Sequence, residues 1–113
     1  MGQVDLVHVG HGHVADGGSF TLTSGVLARQ PMPGSAAITT VNAALEAFAS
    51  AAALELDRDQ RVNVVSPAWV KETMVQMGMD PAPGISAADT AKAYKVAVEG
   101  ADNGATLHAA HHV

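Results

Sequence analysis

The chain has 113 residues, with 48% hydrophobic and 15% charged residues, which favours one small folded domain over disorder. A net charge of −5 with only six Lys and Arg predicts no nucleic-acid partner and no binding to an anionic membrane. The absence of cysteine excludes disulfides and thiolate metal sites, and no apolar run reaches the roughly 20 residues that cross a bilayer, so we expect a cytoplasmic protein.

Hydrophobic periodicity and turn residues divide the chain into alternating helices and strands. In chain order we predict a short helix within 3–14, a strand at 19–23, a proline-containing loop at 30–34, a helix at 36–56, a strand at 61–65, a short helix at 70–79, a helix at 87–99 and a strand near 106–109. Ser35 and Ser86 are the predicted N-caps of the helices that follow them. The alternation predicts an α/β fold with about three parallel strands and crossover helices.

The helix predicted at 36–56 is apolar around much of its circumference. One stripe contains Ile38, Val41, Leu45, Phe48 and Ala52, and a second contains Ala37, Ala44, Ala47 and Ala51. Two stripes need cover on two sides, and a sheet provides only one of them. The second stripe can be covered either by another subunit or by burial within a monomer.

Several stretches then match one family in order and spacing. They are 17–25 (GGSFTLTSG), 42–48 (NAALEAF), 52–56 (AALEL), 61–67 (RVNVVSP) and Thr73. Together they resemble the short-chain dehydrogenase/reductase family over nearly the whole chain. The resemblance implies a partial Rossmann-like, doubly wound sheet, with residues 1–113 forming a single domain similar to the C-terminal half of the family's fold.

The resemblance also implies roles for particular residues. Ser24 occupies the place of the catalytic serine that hydrogen-bonds a substrate carbonyl, although a turn serine that caps its own backbone fits the position equally well. Pro67 and Thr73 match cofactor-contacting positions, and a helix-start hydroxyl is an equal alternative for Thr73. Trp69 fits either a substrate pocket or the core, with the core favoured.

Two expected catalytic residues are replaced. Ile38 stands at the position of the family's proton-transferring Tyr, and Asn42 at the position of its Lys. Isoleucine cannot transfer a proton, whereas asparagine can still hydrogen-bond a cofactor ribose without supplying charge. The resemblance therefore implies an NAD(P)-dependent oxidoreductase acting on a small molecule, with reduced or no activity in this chain.

The Gly-rich strand–turn–helix that holds the cofactor pyrophosphate in the family has no counterpart here. Neither Gly10-His11-Gly12 nor Gly17-Gly18 has the required spacing. We therefore expect a truncated member that binds NAD or NADP only when the missing N-terminal half is present.

Two alternatives use other features of the chain. The family commonly dimerises through the helix that corresponds to 36–56, so a non-catalytic, self-associating scaffold is the main alternative. His8 and His11 lie three residues apart and could share a divalent metal, but no neighbouring ligand completes a set in the sequence, and we predict no metal site.

Overall fold

The computed structural model describes residues 2–112 and contains a parallel sheet with the strand order β1-β2-β3. The elements are α1 (Gly2–Gly10), β1 (Ser19–Thr23), α2 (Ala36–Ala52), β2 (Arg61–Ser66), α3 (Lys71–Gln76), α4 (Ala87–Glu99) and β3 (Thr106–His108), with 3-10 turns at Val26–Ala28 and Ala109–His111. The predicted α/β fold with three parallel strands is confirmed.

The central strand β2 is buried on both faces. Val62 and Val64 face a core formed with β1, α1 and α2, whereas Val65 faces a second core formed with α4 and β3. The side chains of a strand alternate between the faces of its sheet, so one β-branched run supports both cores. Helices therefore cover both faces, as in a doubly wound sheet.

The longest helix ends earlier than predicted. It stops at Ala52 rather than at residue 56, and the N–H groups of Leu54 and Glu55 bond three residues back, which tightens the last turn. Leu54 is 88% exposed, whereas Ala53 and Leu56 on either side of it still pack against the core. The left-handed backbone of Arg58 then redirects the chain toward β2.

Both predicted N-cap residues stand at the N-cap positions of their helices, but only one of them makes a side-chain cap bond. Ser35 precedes α2, but its hydroxyl accepts from the Met32 N–H at 3.0 Å and makes no cap bond to the helix. Ser86 is confirmed, because its Oγ accepts from the Asp89 N–H at 3.0 Å. The predicted bounds of β1 and α4 are confirmed, and the remaining element boundaries differ from the predicted ones by a few residues.

The apolar stripe of α2 is buried only along its C-terminal half. Leu45 and Ala52 are 2% and 9% exposed, whereas Ile38 and Val41 are 50% and 44% exposed. The N-terminal half of the stripe is thus only partly covered within residues 2–112. None of the helices in this range is long and apolar enough to cross a bilayer.

The first strand forms one edge of the sheet, and a side chain completes its C-terminal end. The Gln3 amide accepts from the Thr23 N–H at 2.8 Å and donates to the Thr23 carbonyl at 3.0 Å. A side-chain amide offers the same donor and acceptor as a peptide group. Gln3 therefore takes the place of a neighbouring strand at Thr23 and ties α1 to the end of β1.

A buried asparagine connects β2 to the segment that leads into β3. Asn63 is fully buried, and its amide donates to the Asp102 carbonyl at 2.7 Å and accepts from the Ala105 N–H at 3.0 Å. Both backbone groups would lack these partners if the side chain were removed.

We predict that Asn63→Ala lowers the free energy of unfolding by about 2–3 kcal/mol, because it leaves two partly buried backbone groups unpaired. Urea unfolding monitored by circular dichroism measures the loss. Asn103→Ala is the comparison variant, because it also removes a side-chain hydrogen bond to the backbone but does so at an exposed residue. The Asn103 side chain accepts from the Val62 N–H at 3.0 Å. A loss for Asn63→Ala no larger than that for Asn103→Ala would contradict this role.

Candidate functional site

Two loops meet where β1 and β2 end. The Ser24 N–H donates to the Val65 carbonyl at 3.0 Å, and the Val26 N–H donates to the Pro67 carbonyl at 3.1 Å. The parallel register places the carboxyl ends of both strands at the same edge of the sheet. Ligands of open parallel sheets bind outside this edge.

A cleft of about 270 Å³ opens between these loops and α2. It brings together every predicted site residue, because Ser24, Asn42, Pro67 and Thr73 all line it. Ile38 and Trp69 complete its apolar part, and Trp69 is 37% exposed, so the interpretation of Trp69 as a core residue is wrong.

Asn42 lies against Gly25 at the floor of the cleft. A Cβ atom at Gly25 would stand 3.1 Å from the Asn42 Nδ2, so a glycine allows the amide to approach the backbone this closely. Within residues 2–112, the Asn42 amide makes no hydrogen bond to protein and remains available to a ligand.

No phenol takes the place of the missing Tyr. Tyr94 is the only tyrosine of the chain, and its hydroxyl lies 2.6 Å from the Thr23 Oγ1. Thr23 precedes Ser24, and successive side chains of a strand point to opposite faces, so this contact lies on the α4 side of the sheet. Tyr94 is not among the residues that line the cleft, where Ile38 contributes only hydrocarbon.

The hydroxyl of Ser24 belongs to a charged network that the sequence did not reveal. Its Oγ donates to the Glu46 Oε2 at 2.6 Å. The Nη1 of Arg29 donates to the Glu46 Oε1 and Oε2 at 2.5 and 2.7 Å, and its Nη2 donates to the Ser66 Oγ at 2.5 Å. We call Ser24, Glu46, Arg29 and Ser66 the Glu46 network.

The Glu46 network is largely shielded from solvent. The Glu46 side chain is only 17% exposed, although that of Arg29 is 38% exposed. Hydrogen bonds to ionised groups are shorter and stronger than neutral ones, and shielding preserves them. The network therefore orders the loop after β1 against α2 and the end of β2.

A second cleft of about 320 Å³ lies on the other side of this network and is lined by Arg29, Ser66, His108 and His111 among others. Burial lowers the pKa of His108 below its usual 6.5, and the positive charge of Arg29 lowers it further, against an opposing effect of Glu46. His108 is therefore neutral at pH 7.

The histidines near the start of the chain lie beside one acidic residue. His8 and His11 line a cleft between α1 and α2 that also contains Glu55. Even so, no three His, Asp or Glu side chains between residues 2 and 112 are placed to hold one metal ion.

Sequence reasoning missed Glu46 and Arg29 as site residues. Glu46 follows Asn42 by four residues and therefore lies on the same side of α2, one turn further on. That spacing was a usable signal. Arg29 had none, because an arginine in an irregular loop gives no indication of the strand end to which it returns.

Comparisons with known proteins agree with this architecture. The sequence profile of a family described as enoyl-(acyl carrier protein) reductase matches residues 2–108. No curated protein matches the chain.

Three solved structures are similar over most of the chain. The protein lin1944 from Listeria innocua is 35% identical with a TM-score of 0.87, over 95% of this chain and 55% of its own. A small-chain dehydrogenase is 31% identical with a TM-score of 0.80, over 95% of this chain and 53% of its own. A small-chain dehydrogenase in complex with NADPH is 29% identical with a TM-score of 0.79, over 95% of this chain and 56% of its own.

The chain thus spans about half the length of these three structures. The family profile covers almost every residue, and the fold agrees with that of dehydrogenases of known structure. The chain belongs to the short-chain dehydrogenase/reductase family.

Proposed function

We propose that this chain is the catalytic side of an NAD(P)-dependent oxidoreductase, and that it binds the nicotinamide cofactor only together with a further N-terminal segment. The observation that carries this proposal is the single cleft lined by Ser24, Asn42, Pro67 and Thr73. These residues come from four separate parts of the chain, and the fold brings them together at the edge of the sheet where such ligands bind.

The chain supplies one side of a cofactor site and lacks the other. Within residues 2–112, none of the three strands is followed by a Gly-rich turn that leads into a helix. In such folds the helix N-terminus after that turn holds the pyrophosphate. The similar structures are about twice as long, and one of them contains NADPH. An added strand–turn–helix unit would supply the phosphate contacts.

The residues of the cleft can form hydrogen bonds to the cofactor, but they do not include the usual proton donor. The Asn42 amide hydrogen-bonds a ribose hydroxyl, and the Thr73 hydroxyl hydrogen-bonds the cofactor carboxamide or phosphate. Bound NAD(P) would supply hydride chemistry. Ile38 leaves the usual proton donor absent, so we expect reduced or no turnover of carbonyl substrates by this chain.

We predict that NADPH titrated into the 113-residue chain gives no saturable signal, because the phosphate-binding segment is missing. A chimera that carries the N-terminal segment of the small-chain dehydrogenase should bind NADPH in the same calorimetric titration. Within the chimera, Thr73→Ala should weaken binding about fivefold, the value of one hydrogen bond.

The matched control in the chimera is Thr40→Ala, since the Thr40 hydroxyl bonds the Ala36 carbonyl at 2.7 Å and lies outside the cleft. Saturable NADPH binding by the short chain alone would contradict the proposed division between the two segments. So would a folded chimera that does not bind NADPH.

The exposed apolar face of α2 favours a second function, that of a self-associating scaffold without catalysis. Val41 is 44% exposed, and Ala37, Ala47 and Ala51 are exposed on the same side of the helix. Small side chains permit close approach between helices, and a second copy of the chain would cover this face. In this function the oxidoreductase fold serves only to present α2.

We predict that the double variant Ala47→Glu, Ala51→Glu is monomeric in sedimentation velocity, whereas the unmodified chain forms a dimer. Two carboxylates facing their own copies would be desolvated and would repel each other. The matched control is the double variant Ala88→Glu, Ala91→Glu on the exposed surface of α4. It should sediment as a dimer, like the unmodified chain. An α2 variant with the sedimentation behaviour of the unmodified chain would exclude this face as the interface.

A further inference from the structure

The only proton of the Ser24 hydroxyl is used within the protein. A serine hydroxyl has one hydrogen to donate and two lone pairs that accept. An ionised carboxylate carries no hydrogen, so the proton in the 2.6 Å bond between Ser24 Oγ and Glu46 Oε2 comes from Ser24. With this proton engaged, Ser24 can offer a ligand only an acceptor.

We propose that the cleft recognises a ligand hydroxyl, which donates its hydrogen bond to the Ser24 Oγ, and that it disfavours the corresponding carbonyl. Glu46 acts as a positioning residue that sets this polarity without touching the ligand. The inference deepens the proposed function of the cleft, because it identifies the alcohol form of a small apolar substrate as the preferred occupant.

The surroundings of Glu46 keep the carboxylate in its accepting role. Arg29 holds both carboxylate oxygens, at 2.5 and 2.7 Å, and a guanidinium remains charged at every relevant pH. One nitrogen, Nη1, makes both contacts while Nη2 bonds Ser66, so Arg29 holds the carboxylate in place between α2 and the end of β2. Rotation of the Ser24 hydroxyl toward a ligand carbonyl would break a charge-assisted bond in a site that is mostly shielded from water.

Within the described part of the chain, the Ser24 hydroxyl still has the capacity to accept a hydrogen bond. Among residues 2–112 no donor bonds to the Ser24 Oγ, although the residue lines the cleft. The nearby walls from Val26, Ile38 and Trp69 are apolar, so they suit a hydrocarbon ring or chain. The proposed hydrogen bond between Ser24 and the ligand therefore has the opposite direction to the one that the family resemblance implies, in which the serine donates to a carbonyl.

Two probes of nearly equal shape test the polarity without any cofactor. Cyclohexanol can donate to Ser24, whereas cyclohexanone can only accept. We expect the ¹⁵N-labelled chain to bind cyclohexanol about fivefold more tightly, the difference that one hydrogen bond makes. The amide signals of Ser24 and Gly25 and the indole N–H of Trp69 report binding at the cleft.

Three variants connect the preference to its cause. Ser24→Ala should bind both probes equally, because the acceptor is gone. Glu46→Ala should bring the two affinities together, because the Ser24 proton is released to a carbonyl. Thr40→Ala, which removes a hydroxyl outside the cleft, should keep the fivefold preference of the unmodified chain, a value expected from one hydrogen bond at about 1 kcal/mol.

Equal affinities in the unmodified chain, tighter binding of the ketone, or a preference that survives in Ser24→Ala would overturn the proposal. An absence of saturable shifts with both probes would overturn it as well, since the cleft would then hold no ligand of this class. The comparison within the unmodified chain stands even if a variant unfolds. Because no nicotinamide is present, this result is independent of the NADPH titration.

Discussion

Burial of β2 on both faces is the constraint on which the rest of the structure depends. The side chains of Val62 and Val64 pack in the core beneath α1 and α2, and that of Val65 packs in the core beneath α4. A shift of β2 by one residue would exchange these faces and expose both cores, so its register against β1 is fixed. That register brings the ends of the two strands, and thus Ser24 and Pro67, to the same edge.

The edge of the sheet is then organised by charge. Glu46 extends from α2 to Ser24, and Arg29 connects the same carboxylate to Ser66 at the end of β2. Both serines are buried, so their hydroxyls need partners, and the network supplies them. At the positions where the family resemblance implied a phenol and an ammonium group, the cleft instead contains Ile38 and Asn42, and the charged pair of Glu46 and Arg29 lies behind Ser24.

This arrangement changes what the cleft can do. A proton donor is missing at Ile38, and the Ser24 hydroxyl is already bonded to Glu46. The cleft retains acceptors and an amide at Asn42, within walls that are mainly apolar. Recognition of a hydroxyl is therefore better supported by these residues than carbonyl reduction is. The exposed alanines of α2, which are Ala37, Ala47 and Ala51, are a separate feature, because they do not line the cleft.

Most of the fold could be predicted from the sequence, because the strands carry β-branched and alternating patterns and the helices carry apolar stripes. The convergence of Ser24, Asn42, Pro67 and Thr73 in one cleft followed from the family resemblance. The Glu46 network as a whole could not be predicted, because only Glu46 had a signal in its helical spacing, whereas Arg29 reaches Ser66 across 37 positions from an irregular loop. The sequence also did not predict that Ser35 makes no cap bond, because its hydroxyl accepts instead from the Met32 N–H.

The central claim is that the Ser24 hydroxyl is bonded to the Glu46 carboxylate, and a double-mutant cycle tests it most directly. Urea unfolding of the unmodified chain, Ser24→Ala, Glu46→Ala and the double variant gives the coupling energy between the two side chains. A hydrogen bond to a charged acceptor predicts a coupling of about 1–2 kcal/mol. A coupling of zero within error would show that the two side chains act independently, and it would contradict the polarity assigned to the cleft.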